Sequence, residues 1–207
     1  MAGPHQSQSH LAYRALEHLI VTLKLAPGAL VNERELIERS GHGRTPVREA
    51  IQKLEWQGLI LIRPRVGLQI AEIHAEDHQQ IMAVRSKLEP LAAGLAAASA
   101  TGEQRAALVE CAKAMTGAAA GGDIDGFLAA DKLFDEILEC ACPNAFLIAA
   151  LQPLQTHSRR LWYAQATLEK MDRSVALHVG VIRAIQQGDA SLAQSAMENL
   201  IGYLSEA

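Results

Sequence analysis

The chain has 207 residues, 49% hydrophobic, 20% charged and only 4% aromatic, with a formal net charge of −4. That apolar content excludes a disordered chain, no run reaches the ~18 uncharged apolar residues of a membrane helix, and few aromatics with much Ala and Leu favour helices over sheets. The charge is uneven: residues 1–74 hold nine Lys/Arg against seven Asp/Glu, residues 75–207 ten against sixteen, which suggests two modules with different partners.

Residues 1–8 read as a flexible arm, since Met1 to His10 is polar and lacks the apolar centre of a signal peptide. Leu11, Ala15, Leu19 and Leu23, widened by Leu16 and Ile20, form one face of a helix expected from about Ser9 to Leu25, closed by Ala26-Pro27-Gly28. Asn32 followed by Glu35 is a capping-box-like start for a short helix that buries Leu36 and Ile37 and stops at Gly41. A third helix is expected from Thr45, as N-cap, with Pro46 in its first position, to Gly58; Val47, Ala50, Ile51 and Leu54 form its inner face. Two short stretches, Leu59–Ile62 and Leu68–Ile70, flank the basic turn Arg63-Pro64-Arg65-Val66-Gly67 and predict a hairpin. Three helices, a tight glycine turn between the last two, and a hairpin make a winged helix-turn-helix over residues 9–74.

Its third helix has an outer face suited to DNA. Arg44 and Arg48 lie four apart with Thr45 beside them and Gln52 a turn further on. Arginine forks pair with guanine edges or grip phosphate, glutamine reads adenine, and the helix amino end attracts phosphate. Gly41 and Gly43 permit close backbone approach, and Arg34, Arg63 and Arg65 would flank the groove.

Helical periodicity fills residues 75–207. Ile81, Val84, Leu88, Leu91 and Leu95 form the inner stripe of a long helix, bent near Pro90. Thr101 with Gln104 opens the next, to about Met115, before a glycine-rich break at residues 117–122. Asp123 starts a helix with Phe127, Ala130, Phe134 and Ile137 inward; Pro143-Asn144 starts another with Phe146, Leu147, Ala150, Leu151 and Leu154 apolar. Residues 164–172 fit no element. Val175, His178, Val181, Ile182 and Ile185 mark a helix closed by Gly188, and Asp189 caps the last, with Leu192, Ala196, Leu200 and Leu204. The expectation is an antiparallel bundle of about six helices, so the fold is mainly α.

Asp131, Asp135 and His178 interrupt apolar faces. A buried carboxylate pair needs a cation, a metal or a shared proton, and Arg85 is the candidate cation; the alternative is a solvent-facing Asp135 and a hydrogen-bonded core His178. Cys111, Cys140 and Cys142 are odd in number with no metal-finger spacing, which points to a reduced, cytoplasmic setting and small buried apolar roles.

The run Leu25-Ala26-Pro27-Gly28, then Asn32-Glu33-Arg34-Glu35-Leu36, then Arg44-Thr45-Pro46-Val47-Arg48-Glu49-Ala50 resembles the GntR family of bacterial transcription regulators. The resemblance implies operator contacts by Arg34, Arg44, Thr45, Arg48 and Gly67. The chain departs from the family at Gly43, usually serine, and at His42, usually small and apolar. The rear module resembles the FCD effector domain of FadR-like members: Arg85-Ser-Lys-Leu-Glu89-Pro90, Asp131-Lys-Leu-Phe134-Asp135 and the segment from His178 to Met197 carry the likeness. That likeness implies a pocket in which an aspartate and three histidines hold a divalent metal beside a small carboxylate. Here Asp131 and His178 match, Asp135 stands at a histidine position and Leu200 at the last, so at most three ligands survive. Otherwise the pocket of Arg85, Asp131, Asp135 and His178 takes its effector directly, Arg85 pairing a carboxylate.

The reading is a cytoplasmic homodimeric regulator, expected to repress, that binds a palindromic operator and is controlled by a small organic acid, with no membrane partner and no catalytic residues. Two rivals remain: a constitutive DNA-binding dimer whose pocket has lost control, and a metal-dependent enzyme using Asp131, Asp135 and His178.

Overall fold

The computed structural model describes residues 7–74 and 76–206, which divide into two compact units, 1–75 and 76–207. The first six residues of the expected arm lie outside the described residues. Ser7 already caps a helix, accepting the His10 N–H, and α1 runs Gln8–Val21. It ends before Leu25, the expected limit. The Thr22 hydroxyl donates to the His18 carbonyl at 2.6 Å, Leu23 takes a left-handed φ of 55°, and the Leu25 N–H turns back to the Leu19 carbonyl. The turn costs one strained residue and delivers Leu25 into the core, where it is 1% exposed.

After β1 (Leu30–Val31), Asn32 accepts the Glu35 N–H and starts α2 (Glu33–Ser40), which Gly41 closes in the left-handed conformation. The third helix, α3, spans Arg44–Trp56 with Gly43, not Thr45, as its N-cap; Thr45 and Pro46 lie inside the first turn, where proline's missing N–H has no intrahelical partner to lose. Its predicted inner face of Val47, Ala50, Ile51 and Leu54 is buried. The hairpin forms as β2 (Ile60–Arg63) and β3 (Gly67–Ile70), paired Arg63 to Gly67. A third strand was not expected: β1 pairs antiparallel with β3 through Leu30–Gln69 and Val31–Leu68, giving the order β1-β3-β2. Leu16, Ile20, Leu36, Leu54, Leu59 and Ile70 close the core of this unit. Each such aliphatic side chain contributes roughly 1.5–3 kcal/mol on burial.

Among the described residues the second unit is six helices. α4 (Asp77–Ser99) runs through Pro90, and its buried face is Met82, Arg85, Glu89, Ala92, Ala93 and Ala96 rather than the expected stripe. Leu88 and Leu95 pack on α7 (Ala145–Ala164) while Val84 and Leu91 stay 44% exposed. The reason is the small-residue face: α4 packs closely along α9 (Ala190–Glu206), so closely that a Cβ on Gly94 would lie 2.6 Å from Gln194 Nε2. Close helix approach selects Ala and Gly over larger apolar residues.

α5 spans Gly102–Gly121, opened by a complete Thr101–Gln104 capping box. It passes through the expected break because Ala118, Ala119 and Ala120 sustain the helix past Gly117, and only Gly122 turns left-handed. α6 (Ile124–Ala141), capped by Asp123, buries Phe127, Ala130, Phe134 and Ile137 as expected. Asn144 caps α7, whose Phe146 is 91% exposed. Thr167 caps α8 (Leu168–Gln187), which resolves the unassigned segment; Asp189 accepts the Leu192 N–H at the start of α9. The mainly α architecture, a winged helix followed by a helical bundle, is the one expected.

Candidate functional site

The first candidate surface is the outer face of α3 and the hairpin tip. Arg34, Gly43, Arg44, Thr45, Arg48, Gln52, Arg63, Arg65 and Gly67 are all exposed. The arginines are held in place. Glu33, the first residue of α2, places one carboxylate oxygen 2.8 Å from Arg48 Nε and the other 3.6 Å from Arg44 Nε. Glu33 thus bridges the two helices of the motif through both Nε atoms, and the two arginine side chains remain 73% and 60% exposed, so their forks stay accessible to a guanine or a phosphate. Its carboxylate at a helix amino end is also favoured by the helix dipole. The sequence reading missed Glu33; the signal is an acidic residue immediately after an N-cap, facing the next helix.

Arg34 lies at 2.9 Å from Glu38 in an exposed pair. On the hairpin, Arg63 Nε donates to Gln69 Oε1 at 2.9 Å, and Gln69 in turn donates to the Gly28 carbonyl, so the wing is braced against the turn after α1. Arg65 takes a left-handed φ of 66° and Gly67 a φ of 124°, which forms the tight tip that lifts the basic side chains outward. Gly43 gives α3 no side-chain cap, so the amino-end N–H groups there keep their capacity for an outside acceptor.

The second candidate site lies within the helical unit, a small cleft open in part to solvent, with Arg85, Asp131, Asp135 and Arg159 in its wall. The structure brings together Asp131 and Asp135, one turn apart on α6, and His178 on α8, and both Asp135 and His178 are buried. The cation between the carboxylates is not Arg85 but Arg159 of α7. Its Nη1 stands 2.5 Å from Asp135 Oδ2 and 3.6 Å from Asp131 Oδ2. Arg85 lines the same cleft but is committed elsewhere, forked on Glu89 at 2.7 and 3.1 Å and donating to Ser158. The signal for Arg159 was its place four and eight residues after the inner-face Gln155 and Leu151, on a helix read only for its apolar residues.

His178 is fixed at both nitrogens. Nδ1 lies 2.8 Å from the Ser174 carbonyl, which only a protonated nitrogen can satisfy, and Nε2 lies 3.1 Å from Asp131 Oδ1. Phe134 meets the ring edge-on at 5.0 Å. Burial opposes the imidazolium, but the hydrogen bond and charge of Asp131 outweigh it and raise the His178 pKa. Burial likewise pushes Asp131 upward, yet His178 and then Arg159 draw it below the ordinary value. Asp135 goes the other way: burial, with Asp131 and Glu89 nearby, overcomes Arg159 and lifts it to about 8. Two carboxylates this close in a largely buried site do not both ionise readily. Cys111 is buried beside them, its thiol donating to the Ala130 carbonyl and its pKa pushed up to about 12 by burial, which fits a packing role.

These residues do not fit a metal. Both nitrogens of His178 are already engaged, by the Ser174 carbonyl and by Asp131, Asp135 is bound to Arg159, and Leu200 is buried on α9 without a lone pair. Among the described residues no three His, Cys, Asp or Glu side chains stand as a ligand group. No described helix is long and apolar enough to cross a membrane.

Comparison with known proteins assigns each of the two units to a known domain. Residues 8–70 match the model of the bacterial regulatory proteins of the gntR family, and residues 80–203 match the FCD domain. Among curated relatives, a Paenarthrobacter nicotinovorans protein named "Probable D-xylose utilization operon transcriptional repressor" is 30% identical over 185 residues, 87% of this chain and 80% of its own length. The HTH-type transcriptional repressor RspR of Escherichia coli K12 is 26% identical over 99% of this chain and 90% of its own length. In fold, the chain is similar to E. coli McbR/YncC, with a TM-score of 0.81 at 20% identity over 96% of this chain and 95% of that one. The chain therefore belongs to the GntR family of bacterial regulatory proteins, as an FCD-domain member and a DNA-binding transcription regulator.

Proposed function

We propose that this regulator acts in the cytoplasm as a homodimeric repressor, without catalytic turnover, and that a small organic acid in the cleft of the helical unit changes its affinity for a two-fold operator. The observation that carries the effector is two buried arginines, Arg85 and Arg159, in the wall of one cleft. Arg159 reaches Asp135 and Asp131 through one terminal nitrogen, His178 faces Asp131, and Arg85 pairs with Glu89. A carboxylate entering beside Arg159 gains charge-assisted hydrogen bonds. Asp131, Asp135, Arg159 and Arg85 line this pocket, and His178 orients Asp131 from behind.

On the DNA side, Arg44, Thr45, Arg48 and Gln52 face the major groove while Arg34, Gly43, Arg63, Arg65 and Gly67 meet the backbone and flanking groove. A two-fold dimer would present two such faces to two half-sites, and Val84 and Leu91 give the apolar surface that a second copy covers. Ligand occupancy and operator affinity are then linked, each changing the other by the same factor. The test is retardation of the gene's own upstream duplex against a scrambled one, with and without a panel of organic acids. Specific retention relieved by one acid is expected. Equal retention of both duplexes would refute the regulator; specific retention that no acid relieves would favour the constitutive dimer.

A further inference from the structure

A guanidinium occupies the place where two neighbouring carboxylates would otherwise require an external cation. Arg159 Nη1 contacts Asp135 and stands within ion-pair range of Asp131, whose other oxygen is taken by His178. The pair is thereby supplied with positive charge from the chain itself, and a divalent ion entering between them would meet a fixed guanidinium and an imidazole whose two nitrogens are already engaged by Ser174 and Asp131.

The same face of α7 carries two polar atoms with no partner. Gln155, Arg159 and Trp162 recur at i, i+4 and i+7, a stripe about 10 Å long directed at the cleft. Gln155 is 5% exposed and its Oε1 receives no hydrogen bond; the Trp162 Nε1–H is buried and donates none. Buried polar atoms without partners are rare in native proteins, and an acceptor and a donor on one wall of one cleft suit an incoming molecule. Trp162 packs against Phe127, at 5.0 Å between rings, so the indole cannot swing away to find a partner elsewhere without losing that contact.

We propose that Arg159 replaces a divalent cation between Asp131 and Asp135, so that this cleft takes its ligand without metal and reads it through Gln155 and Trp162. The inference rests on the ligand-responsive reading above and concerns how that ligand is held. Its class is a small acid that also carries a hydroxyl: the hydroxyl donates to Gln155 Oε1, an oxygen accepts from Trp162 Nε1, and the carboxylate meets the Arg159 guanidinium in the same wall.

The test uses the full chain, stripped with EDTA and titrated with ZnCl2, NiCl2 or MnCl2 in calorimetry and thermal unfolding. The wild type should show no stoichiometric binding and no shift in Tm with either chelator or metal. Arg159→Ala should lose several degrees in Tm and regain part of that loss with ZnCl2, because the exposed carboxylate pair now needs a cation. Should that variant fail to fold, Arg159→Lys retains the charge and should remain indifferent to metal. One equivalent of metal on the wild type, abolished by His178→Ala, would overturn the proposal. Gln155→Met, which removes an unpaired acceptor at similar volume, should raise the Tm of the ligand-free protein, and an unchanged or lower Tm would show that Gln155 serves the fold instead. Operator retardation on the same preparation separates the two claims: metal binding by the wild type sinks the Arg159 assignment alone, and loss of operator discrimination sinks the regulator.

Discussion

Arg48→Ala tests the DNA face most directly, because the structure allows its cost to the fold to be separated from its cost to recognition. The Arg48 side chain is 60% exposed and its partner Glu33 33% exposed. A solvated ion pair of this kind contributes about 0–1 kcal/mol, so the Tm of the variant should stay close to that of the wild type. Recognition should suffer far more. A good bidentate arginine–base contact discriminates by about 1–3 kcal/mol, and a dimer on two half-sites loses it twice. The operator should then weaken by roughly 2–6 kcal/mol, about 30-fold to about 10⁴-fold at 1.4 kcal/mol per decade. Fluorescence anisotropy with the upstream duplex and a scrambled duplex, over a salt series, reads both terms. Loss confined to the upstream duplex marks a base contact. Equal loss on both, with the salt slope falling by about 1.8 for two lost phosphate contacts, marks a backbone contact. Operator affinity within threefold of wild type would refute the placement of α3 in a groove. Glu33→Gln is the complementary variant: it removes an anion and frees both arginines, so scrambled DNA should bind several-fold more tightly while the upstream-to-scrambled ratio falls.

The interior of the helical unit yields three further expectations. Phe134 is 1% exposed and stacks edge-on against His178, so Phe134→Ala should cost about 3–5 kcal/mol in urea unfolding, and a loss below about 1 kcal/mol would mean the site collapses to fill the gap. Stability should fall with rising pH between about 6.5 and 8. Asp135, ordinarily near 3.9 in an unfolded chain, sits at about 8 in the fold, and His178 sits above its ordinary value, so the folded state holds protons there that the unfolded state has released. Asp131, drawn downward, adds stability that is lost only in acid and is constant across that window. A urea midpoint that is flat or rising over this range would contradict the burial of Asp135, and Asp135→Asn should remove much of the slope. Leu91→Glu places a charge on the 44%-exposed apolar flank of α4 and should shift the sedimentation of the proposed dimer toward monomer, with the helical content retained; an unchanged dimer would move the interface elsewhere.

Much of the front unit was legible because local chemistry and global fold agree there. Asn32, Gly41 and the spacing of Val47, Ala50, Ile51 and Leu54 each fix a helix end or face by short-range rules, and the structure reproduces them. What local rules missed is long-range. β1 is two residues long and exists only because β3 lies beside it. The end of α1 was placed late because a leucine at left-handed φ is improbable on local grounds and occurs here to bury Leu25. The stripe on α4 was misjudged for a similar reason: periodicity finds an apolar face but does not know that a neighbouring helix comes close enough to prefer alanines.

The candidate ligand site divides in the same way. Asp131, Asp135 and His178 stand out in a linear reading because each is polar among apolar neighbours, and that contrast is a property of the chain. Their state of charge is not. It depends on Arg159 arriving from another helix and on the exclusion of water from the space between them, and both depend on how six helices pack. Sequence alone settled the kinds of element, the family and the polar residues set apart for use; tertiary packing decided which cation serves them, which carboxyl keeps its proton and which surface faces solvent, because electrostatic energies depend on distance and dielectric, and neither is written in the order of residues.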